Sequence, residues 1–287
     1  MRIIRVFPRR TALTPADTLA FVGDPPMIGR PDTDEVHVSV SFTWDIAEGE
    51  RLAFAWRCYY GTVKLGGPAF GSKPDGFIPG MYVRPGVTFT TRGCNNCCPW
   101  CLVPSREGRL FEISDFCAGN IIQDNNLLQA NRAHVHRVFD MLKVQPRAAV
   151  FSGGLQASLV SDQFVDELRG IRVDCVFLAA DSKSALKPLE RAIRQLSFLG
   201  RRRIRVYTML AYHGESLSDA EERLETVWNL GAMPFAQLYQ PQDHFIEYSM
   251  DWKRLARKWS RPAAMFSSHG LPKIGGQPTF FTLDNGS

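Results

Sequence analysis

From residue 87 onward, short apolar runs alternate with longer segments whose apolar residues recur every three to four positions. This alternation predicts strands connected by amphipathic helices, which is typical of a parallel sheet built from βα units. The predicted fold class is therefore α/β, and six consecutive units suit a partial (βα)6 TIM-like barrel. The six predicted strands are residues 87–91, 120–123, 148–151, 173–179, 204–210 and 235–239.

The predicted helices carry start and stop signals. Ser161 is a predicted N-cap, and Gly170 follows the last turn of the same helix. Pro188 suits the first turn of the next helix. Ser218 and Glu221 form a predicted capping box that opens the helix after the fifth strand.

The first 80 residues follow a different pattern. Strands are predicted at residues 3–7 and 36–42, followed by an apolar segment at 52–60 and a Gly/Pro-rich passage at 66–80. We therefore expect a small α/β domain at residues 1–80, the partial barrel at 81–245, and a C-terminal helix with a loose tail at 246–287. The helix is predicted from the apolar stripe of Trp252, Leu255, Ala256 and Trp259.

Polar and glycine-rich clusters follow five of the predicted strands. In parallel α/β folds, the chemistry gathers at the carboxyl ends of the strands, so we expect the functional site there. The clusters, in chain order, are the cysteines of residues 94–101, Asp124-Asn125-Asn126, Gly153-Gly154, Asp181-Ser182 and His213-Gly214-Glu215.

Composition and charge exclude several classes of protein. A chain of 287 residues that is 45% hydrophobic can bury a large core and is not expected to be disordered. No apolar run reaches the ~18–20 residues that span a bilayer, and the N-terminus lacks a secretory signal, so we expect a cytoplasmic protein with no membrane partner. The net charge of +5 is mildly basic. A nucleic-acid partner is not favoured, because the basic segments 201–203 and 253–258 fit a strand start and the polar face of a helix.

Four of the seven cysteines fall within residues 94–101. Because cytoplasmic thiols stay reduced, this cluster predicts a metal site rather than a disulfide framework. The other three, Cys58, Cys117 and Cys175, stand alone and are expected to be small buried hydrophobic residues.

The spacing of the four clustered cysteines allows two registers. The pairs Cys94-x2-Cys97 and Cys98-x2-Cys101 abut with no spacer, which disfavours a single tetrahedral zinc ion. A redox CxxC would open a helix in a thioredoxin-like context that this chain lacks. The register Cys94-x3-Cys98-x2-Cys101 instead presents three thiolates, as a [4Fe-4S] cluster with one open iron requires.

This motif resembles the signature of radical S-adenosylmethionine (radical SAM) enzymes. It shares their CxxxCxxC spacing, the aromatic Trp100 before the last cysteine, and the position after a strand and the dipeptide Arg92-Gly93. The resemblance implies a [4Fe-4S] cluster on Cys94, Cys98 and Cys101, with SAM on the open iron. It also implies an electron donor resembling flavodoxin or ferredoxin, reductive cleavage of SAM, and hydrogen abstraction from a substrate by a 5′-deoxyadenosyl radical. Cys97 is then a spare thiol.

Within that superfamily, the chain is most similar to the subgroup that often carries a cobalamin-binding-like domain in front. The resemblance implies further SAM contacts from residues at the ends of the strands, namely Asp124, Asn125, Asn126, Gly153, Gly154, Gln156, Asp181, Ser182, Gly214 and Glu215. Gln156 follows the third strand, where relatives often place an arginine against the SAM carboxylate. The N-terminal part lacks the Asp-x-His-x-x-Gly pattern that supplies a histidine to cobalt. His37 is therefore expected to be an ordinary strand residue, and cobalamin is not expected.

Two alternatives stay open from the sequence. One is a non-catalytic zinc-binding or nucleic-acid-binding module, in which the cysteines only hold a loop together. The other is an RNA-modifying enzyme resembling methylthiotransferases, which would need three more N-terminal cysteines, whereas the N-terminal part has only Cys58. No motif identifies the substrate. The segment from residue 267 onward is expected either to cover the barrel mouth or to be loose.

Overall fold

The computed structural model describes residues 1–70, 80–242 and 244–269, and this part of the chain forms two parallel sheets and a short hairpin. The described strands are β1 Ile3–Phe7, β2 Ala20–Val22, β3 Glu35–Ser39, β4 Val63–Gly66, β5 Gly86–Thr88, β6 Thr91–Arg92, β7 Phe111–Glu112, β8 Gly119–Ile122, β9 Ala149–Leu155, β10 Val173–Ala179, β11 Ile204–Leu210 and β12 Met233–Leu238. The described α-helices are α1 Ile46–Arg57, α2 Val103–Arg106, α3 Arg132–Lys143, α4 Asp162–Arg169, α5 Leu186–Gln195, α6 Leu217–Asn229, α7 Met250–Ser260 and α8 Pro262–His269.

The larger sheet has six parallel strands in the order β5-β8-β9-β10-β11-β12. The strands of this sheet lie side by side in the order in which they occur in the sequence. Right-handed crossovers between them therefore place the connecting helices on the same face of the sheet. The α/β class and the parallel sheet predicted from the sequence are confirmed. Among the described residues, β5 and β12 have no further strand partner, so this part of the chain forms an open sheet.

The two faces of the six-stranded sheet differ in burial. One face packs against α3, α4 and α5 in a core that includes Phe139, Phe151 and Phe164, whose ring centroids lie 5.6 to 6.0 Å apart. The other face, called here the inner face, carries half-buried side chains such as Phe177 and Tyr207. The helices therefore cover one side of the sheet and leave the inner face more open.

The N-terminal sheet has four parallel strands in the order β2-β1-β3-β4 and a core of its own, built with α1. His37, predicted as an ordinary strand residue, lies on β3 with both ring nitrogens engaged, at 2.6 Å from Tyr82 Oη and 2.7 Å from Glu35 Oε2. Arg84 N donates to Leu13 O over 2.8 Å. The segment just before β5 is thus attached to the first sheet, while most of the predicted boundary lies at residues 71–79, outside the described residues.

Several predicted element boundaries change in the structure. The predicted strand at 87–91 is divided into β5 and β6, because Thr90 N turns away to bond Asp124 Oδ1 over 2.6 Å. The capping box predicted at Ser218 is wrong: Ser216 is the N-cap of α6, and its hydroxyl accepts from Asp219 N over 3.1 Å. The apolar segment at 52–60 belongs mostly to α1.

The C-terminal helix is present as α7, and α8 follows it. Leu255 and Trp259 of α7 and Met265 of α8 pack on Leu224 and Trp228 of α6. Both helices therefore extend the core beside β12. The predicted tail lies mostly in residues 270–287, outside the described residues. No helix in the described part of the chain is long and apolar enough to cross a membrane.

Candidate functional site

The cysteine loop of residues 93–102 is held closed by its own backbone. It leaves β6 and returns through α2 to β7, which pairs with β6 in antiparallel register. Cys94 N donates to Gly108 O over 3.1 Å, and Cys101 N donates to Cys98 O over 3.0 Å. Gly93 has φ of +76°, and a Cβ there would lie 2.2 Å from Arg109 O. Only glycine fits at this position, which explains the residue before the first cysteine.

The four thiols of this loop differ in exposure. Cys94, Cys98 and Cys101 are half-buried, whereas Cys97 is exposed, and all four are free. Burial raises the pKa of the Cys98 thiol, and negative charge on Cys101, Cys94, Asp181 and Cys97 raises it further. The charges of the other three thiols and of Asp181 therefore all act on Cys98, and exposure is what sets Cys97 apart.

Two thiols of this donor set have raised pKa values, which favours their protonated form. Burial also raises the pKa of Cys101, and the charges of Cys94, Asp181 and Glu107 add to that effect. Bound iron would reverse this preference for the protonated form, since a coordinated thiol is deprotonated. No group of three or more His, Cys, Asp or Glu in the described residues could hold a single metal ion. The three cysteines of a cubane bind three different irons, so they need not converge on one point.

Glu107 attaches the cysteine loop to the end of β8, although no sequence motif marks it. One of its carboxylate oxygens pairs with Arg92, and the other accepts from Gly93 N over 3.1 Å and from Asn125 Nδ2 over 2.6 Å. Asn125, predicted as a SAM contact, therefore lies beside the start of the cysteine loop. Glu107 was missed because its partners come from two other stretches of the chain, residues 92–93 and Asn125.

A network of side-chain amides supports the middle of the same loop. Gln156 Oε1 accepts from Asn96 Nδ2 at 3.0 Å, from Asn126 Nδ2 at 3.0 Å and from Gln129 Nε2 at 3.1 Å. Gln129 Oε1 in turn accepts from Asn95 N at 2.7 Å. Asn95 and Asn96, two of the three residues that separate Cys94 from Cys98, are thereby joined to residues at the ends of β8 and β9. In the sequence, Gln129, Asn95 and Asn96 gave no signal beyond their polarity.

Asp124 is a buried structural carboxylate in this structure. Its Oδ1 accepts from Thr90 N at 2.6 Å, its Oδ2 accepts from Thr90 Oγ1, and its exposed fraction is 2%. Burial raises the pKa of Asp124, and the hydrogen bonds from Thr90 and Thr91 oppose that rise. The side chain joins the end of β8 to the chain leaving β5, so its predicted SAM contact stays a prediction.

Gly153 and Gly154 form part of a bulge in β9. Phe151 pairs with Val176 and Leu155 pairs with Leu178, so three residues of β9 oppose one residue of β10. A Cβ at Gly153 would lie 1.7 Å from Asp124 O, and Gly154 has φ of +96°. Both glycines are therefore required by the backbone, and bulges of this kind are frequent next to active sites.

Asp181 follows the last residue of β10 by two positions. Its Oδ1 accepts from Met209 N over 3.0 Å, and burial raises its pKa. The negative charge of Asp181 acts on both Cys98 and Cys101. Ser182 follows, with its hydroxyl 2.9 Å from the hydroxyl of Ser184. Of the predicted acidic residues, Asp181 is the one whose charge raises the pKa of Cys98 and Cys101.

Glu215 is held by Arg223, a buried residue of α6 that the sequence did not single out. Arg223 donates to Glu215 Oε1, and also to Ala180 O and Met209 O, each over 2.7 Å. Glu215 Oε2 accepts from Ala211 N over 3.0 Å. This arginine joins the ends of β10 and β11 to the turn that follows β11.

The turn that follows β11 contains three residues with left-handed backbone. Ala211 has φ of 61°, His213 has φ of 53°, and Gly214 has φ of 77°. For non-glycine residues this conformation costs on the order of 1–3 kcal/mol and persists only where surrounding contacts hold it. The turn presents Tyr212, whose ring lies 5.3 Å from that of Trp100 in the cysteine loop. Trp100 and Gly214 are thus placed on facing segments of one site.

The lone cysteines were only partly predicted. Cys175 is half-buried, but Cys58 and Cys117 are exposed, so the expectation that they are buried is wrong for those two. Cys58 follows the last residue of α1, and Cys117 lies in the loop between β7 and β8. Single apolar neighbours in the sequence do not report which side of an element reaches solvent.

No family model matches the chain, and no curated protein matches its sequence.

The Gly153 contact predicts a strong effect of one added methyl group. We expect Gly153→Ala to lower the free energy of unfolding by about 3 kcal/mol, because the backbone of Asp124 has to move. Chemical denaturation of both proteins measures this difference. Gly61→Ala is the control, since a Cβ at Gly61 meets nothing within 4 Å. Equal stability of Gly153→Ala and Gly61→Ala would contradict the packing described for the bulge.

The amide network predicts that Gln156 controls the order of the cysteine loop. We expect Gln156→Leu, which removes the acceptor of three amide groups, to speed alkylation of Cys94 and Cys98 in the iron-free protein by about tenfold, since each lost hydrogen bond is worth about 1 kcal/mol. Gln156→Glu keeps an oxygen acceptor and should react nearly as the parent does.

The control for that experiment is Ser158→Ala. Ser158 Oγ accepts from Gln156 Nε2 over 2.9 Å, and within the described part of the chain it has no hydrogen bond to residues 93–102. Its alkylation rates should match the parent. Unchanged rates in Gln156→Leu, measured by mass spectrometry of the labelled peptides, would show that the network does not order the loop.

Proposed function

We propose that this protein is a radical SAM enzyme that binds a [4Fe-4S] cluster through Cys94, Cys98 and Cys101. The observation that carries the proposal is the division of the four thiols. The three cysteines of the CxxxCxxC register are half-buried, and Cys97 is exposed. This division matches three ligands and one spare thiol.

The position of the loop in the fold supports the same proposal. The loop follows the first strand of a parallel six-stranded sheet, and residues from the carboxyl ends of β8, β9, β10 and β11 approach it or its neighbours. Parallel α/β folds place their ligands at this edge. We propose that the sheet is the partial (βα)6 barrel of a radical SAM enzyme, with residues 1–80 as a separate small domain and residues 246–287 as a C-terminal extension.

The chain's own residues would have separate tasks in that enzyme. A bound cluster supplies one electron for the cleavage of SAM, and the protein positions SAM and excludes water. Asp181, whose charge acts on Cys98 and Cys101, and the neighbouring Ser182 are suited to bind polar groups of SAM. The Gly153-Gly154 bulge allows the backbone to approach it. Trp100 packs on Tyr212 and fixes the loop against the opposite side of the site.

Other predicted contacts have structural tasks in this arrangement. Asp124 is already hydrogen-bonded to Thr90, and Gln156 accepts from the amide network. Glu215 is paired with Arg223. We propose that these three position the binding groups, with Asn125 held beside the loop by Glu107 and Gly214 shaping the turn that bears Tyr212. The required electron donor would resemble flavodoxin or ferredoxin, and cobalamin has no place in the proposal.

Iron analysis of single cysteine variants tests the proposed register. After anaerobic reconstitution, we expect about four irons per chain, as a [4Fe-4S] cluster requires, and formation of 5′-deoxyadenosine from SAM with dithionite. Cys98→Ala should lose the cluster, and Cys97→Ala should keep it. The exposed Cys58→Ala serves as a control that leaves iron content unchanged.

Two results would overturn this assignment. Loss of iron in Cys97→Ala with retention in Cys98→Ala would mean that the register is wrong. A colourless protein that binds zinc with all four thiols would favour the non-catalytic module instead, because zinc sites of that kind are tetrahedral and closed.

A further inference from the structure

The inner face of the six-stranded sheet carries an arginine without a counter-charge. Arg205 lies on β11, where it pairs in register with Phe177 of β10. Its Nε is buried and has no hydrogen-bond partner, and among the described residues its guanidinium forms no ion pair. The residue as a whole is half-buried. A cation in such a position is costly unless it meets an acceptor or an anion.

The groups around Arg205 do not neutralise it. Cys175 lies on the same face, and its thiol interacts with Arg205, but burial raises the pKa of Cys175 to about 11, so the thiol is uncharged near neutral pH. Asp174 is exposed and forms no ion pair with Arg205. The contrast with Arg223 is clear, since Arg223 is saturated by one carboxylate and two carbonyl groups.

An aromatic surface lies next to this cation on the same face. Tyr207 stacks on Phe177 with ring centroids 4.5 Å apart, and Phe235 meets both rings edge-on at 5.6 and 5.9 Å. Successive side chains on one face of a strand are two residues apart, so Arg205, Tyr207 and Met209 follow one another along β11. At about 3.3 Å per residue, Met209 is about 13 Å from Arg205.

Met209 connects this surface to the candidate site. Its backbone N–H donates to Asp181 Oδ1 over 3.0 Å. Three residues later, just after β11, the ring of Tyr212 lies 5.3 Å from that of Trp100 in the cysteine loop. The inner face therefore runs from an unpaired cation at one end, over three aromatic rings, to the cysteine loop at the other end. A molecule that fills it has to be elongated, anionic at one end, and apolar or aromatic in its middle.

We propose that the inner face binds an elongated molecule whose anionic group pairs with Arg205 and whose apolar or aromatic body packs on Phe177, Tyr207 and Phe235. The binding site itself is independent of iron and SAM. That its ligand is the substrate of the enzyme rests on the proposed function, because the far end of the ligand would then lie beside the cysteine loop.

Two probes of equal size and different charge test the site on the iron-free protein. Naphthalene-1-sulfonate carries an anion, and naphthalene-1-methanol is neutral; titration calorimetry measures their dissociation constants. We expect the sulfonate to bind at least about tenfold more tightly, since hydrogen bonds between charged groups are stronger than those to neutral groups. Arg205→Gln should abolish this preference while leaving the neutral probe unchanged, and Arg205→Lys should keep part of it.

Matched variants separate the site from general surface charge. Arg203→Gln removes an exposed arginine two residues away, just before β11, and should leave both affinities unchanged. Phe177→Leu should weaken both probes equally. If Arg205→Gln does not fold, Arg205→Lys and Phe177→Leu still decide the question. Equal affinity of the two probes for the parent protein, or an equal loss of preference in Arg203→Gln, would overturn the proposal.

The result can be separated from the test of the enzyme itself. Charge-dependent probe binding in a protein that neither binds iron nor cleaves SAM would keep the site and refute the proposed function. Cleavage of SAM by a protein that shows no charge preference would keep the proposed function and refute the site.

Discussion

The buried carboxylate of Asp124 is the interaction on which the arrangement of the site depends. It binds both the backbone and the hydroxyl of Thr90, and its own backbone packs directly against Gly153. One residue at the end of β8 thereby fixes the chain that leaves β5 and the bulge of β9. The cysteine loop starts from that chain, so its position relative to the other strand ends follows from this contact. Hydrogen bonds to a buried carboxylate are strong because little water competes for it.

The cysteine loop is held from two sides by side chains whose own polar atoms are hydrogen-bonded. Glu107 bonds Arg92, Gly93 and Asn125 at its base, and Gln156 accepts three amide groups near its middle. On the opposite side of the site, Arg223 and Glu215 hold the strained turn that presents Tyr212 to Trp100. A loop of this kind can keep its thiols in a fixed arrangement without a disulfide.

The two faces of the six-stranded sheet differ in burial and therefore in role. The helices bury one face in a continuous apolar core, which stabilises the fold through the area removed from water. The inner face keeps half-buried aromatic side chains and an arginine without an ion pair among the described residues. Because all crossovers run in one direction, the chain can build such a face without a second layer of helices over it.

The sequence by itself determined the α/β class, the existence and order of the strands of the larger sheet, and the location of the polar clusters at their carboxyl ends. Periodicity and turn residues are local properties, and β10 and β11 have the predicted limits because their apolar runs end at clear turn signals. Only the tertiary structure decided the surroundings of each polar group. Asp124, Asp181 and Glu215 each end or follow a strand, yet the first is buried against Thr90, the second adds its charge to that of the thiols, and the third pairs with Arg223. These partners belong to other elements of the fold, and a linear pattern of apolar and polar residues does not contain those contacts.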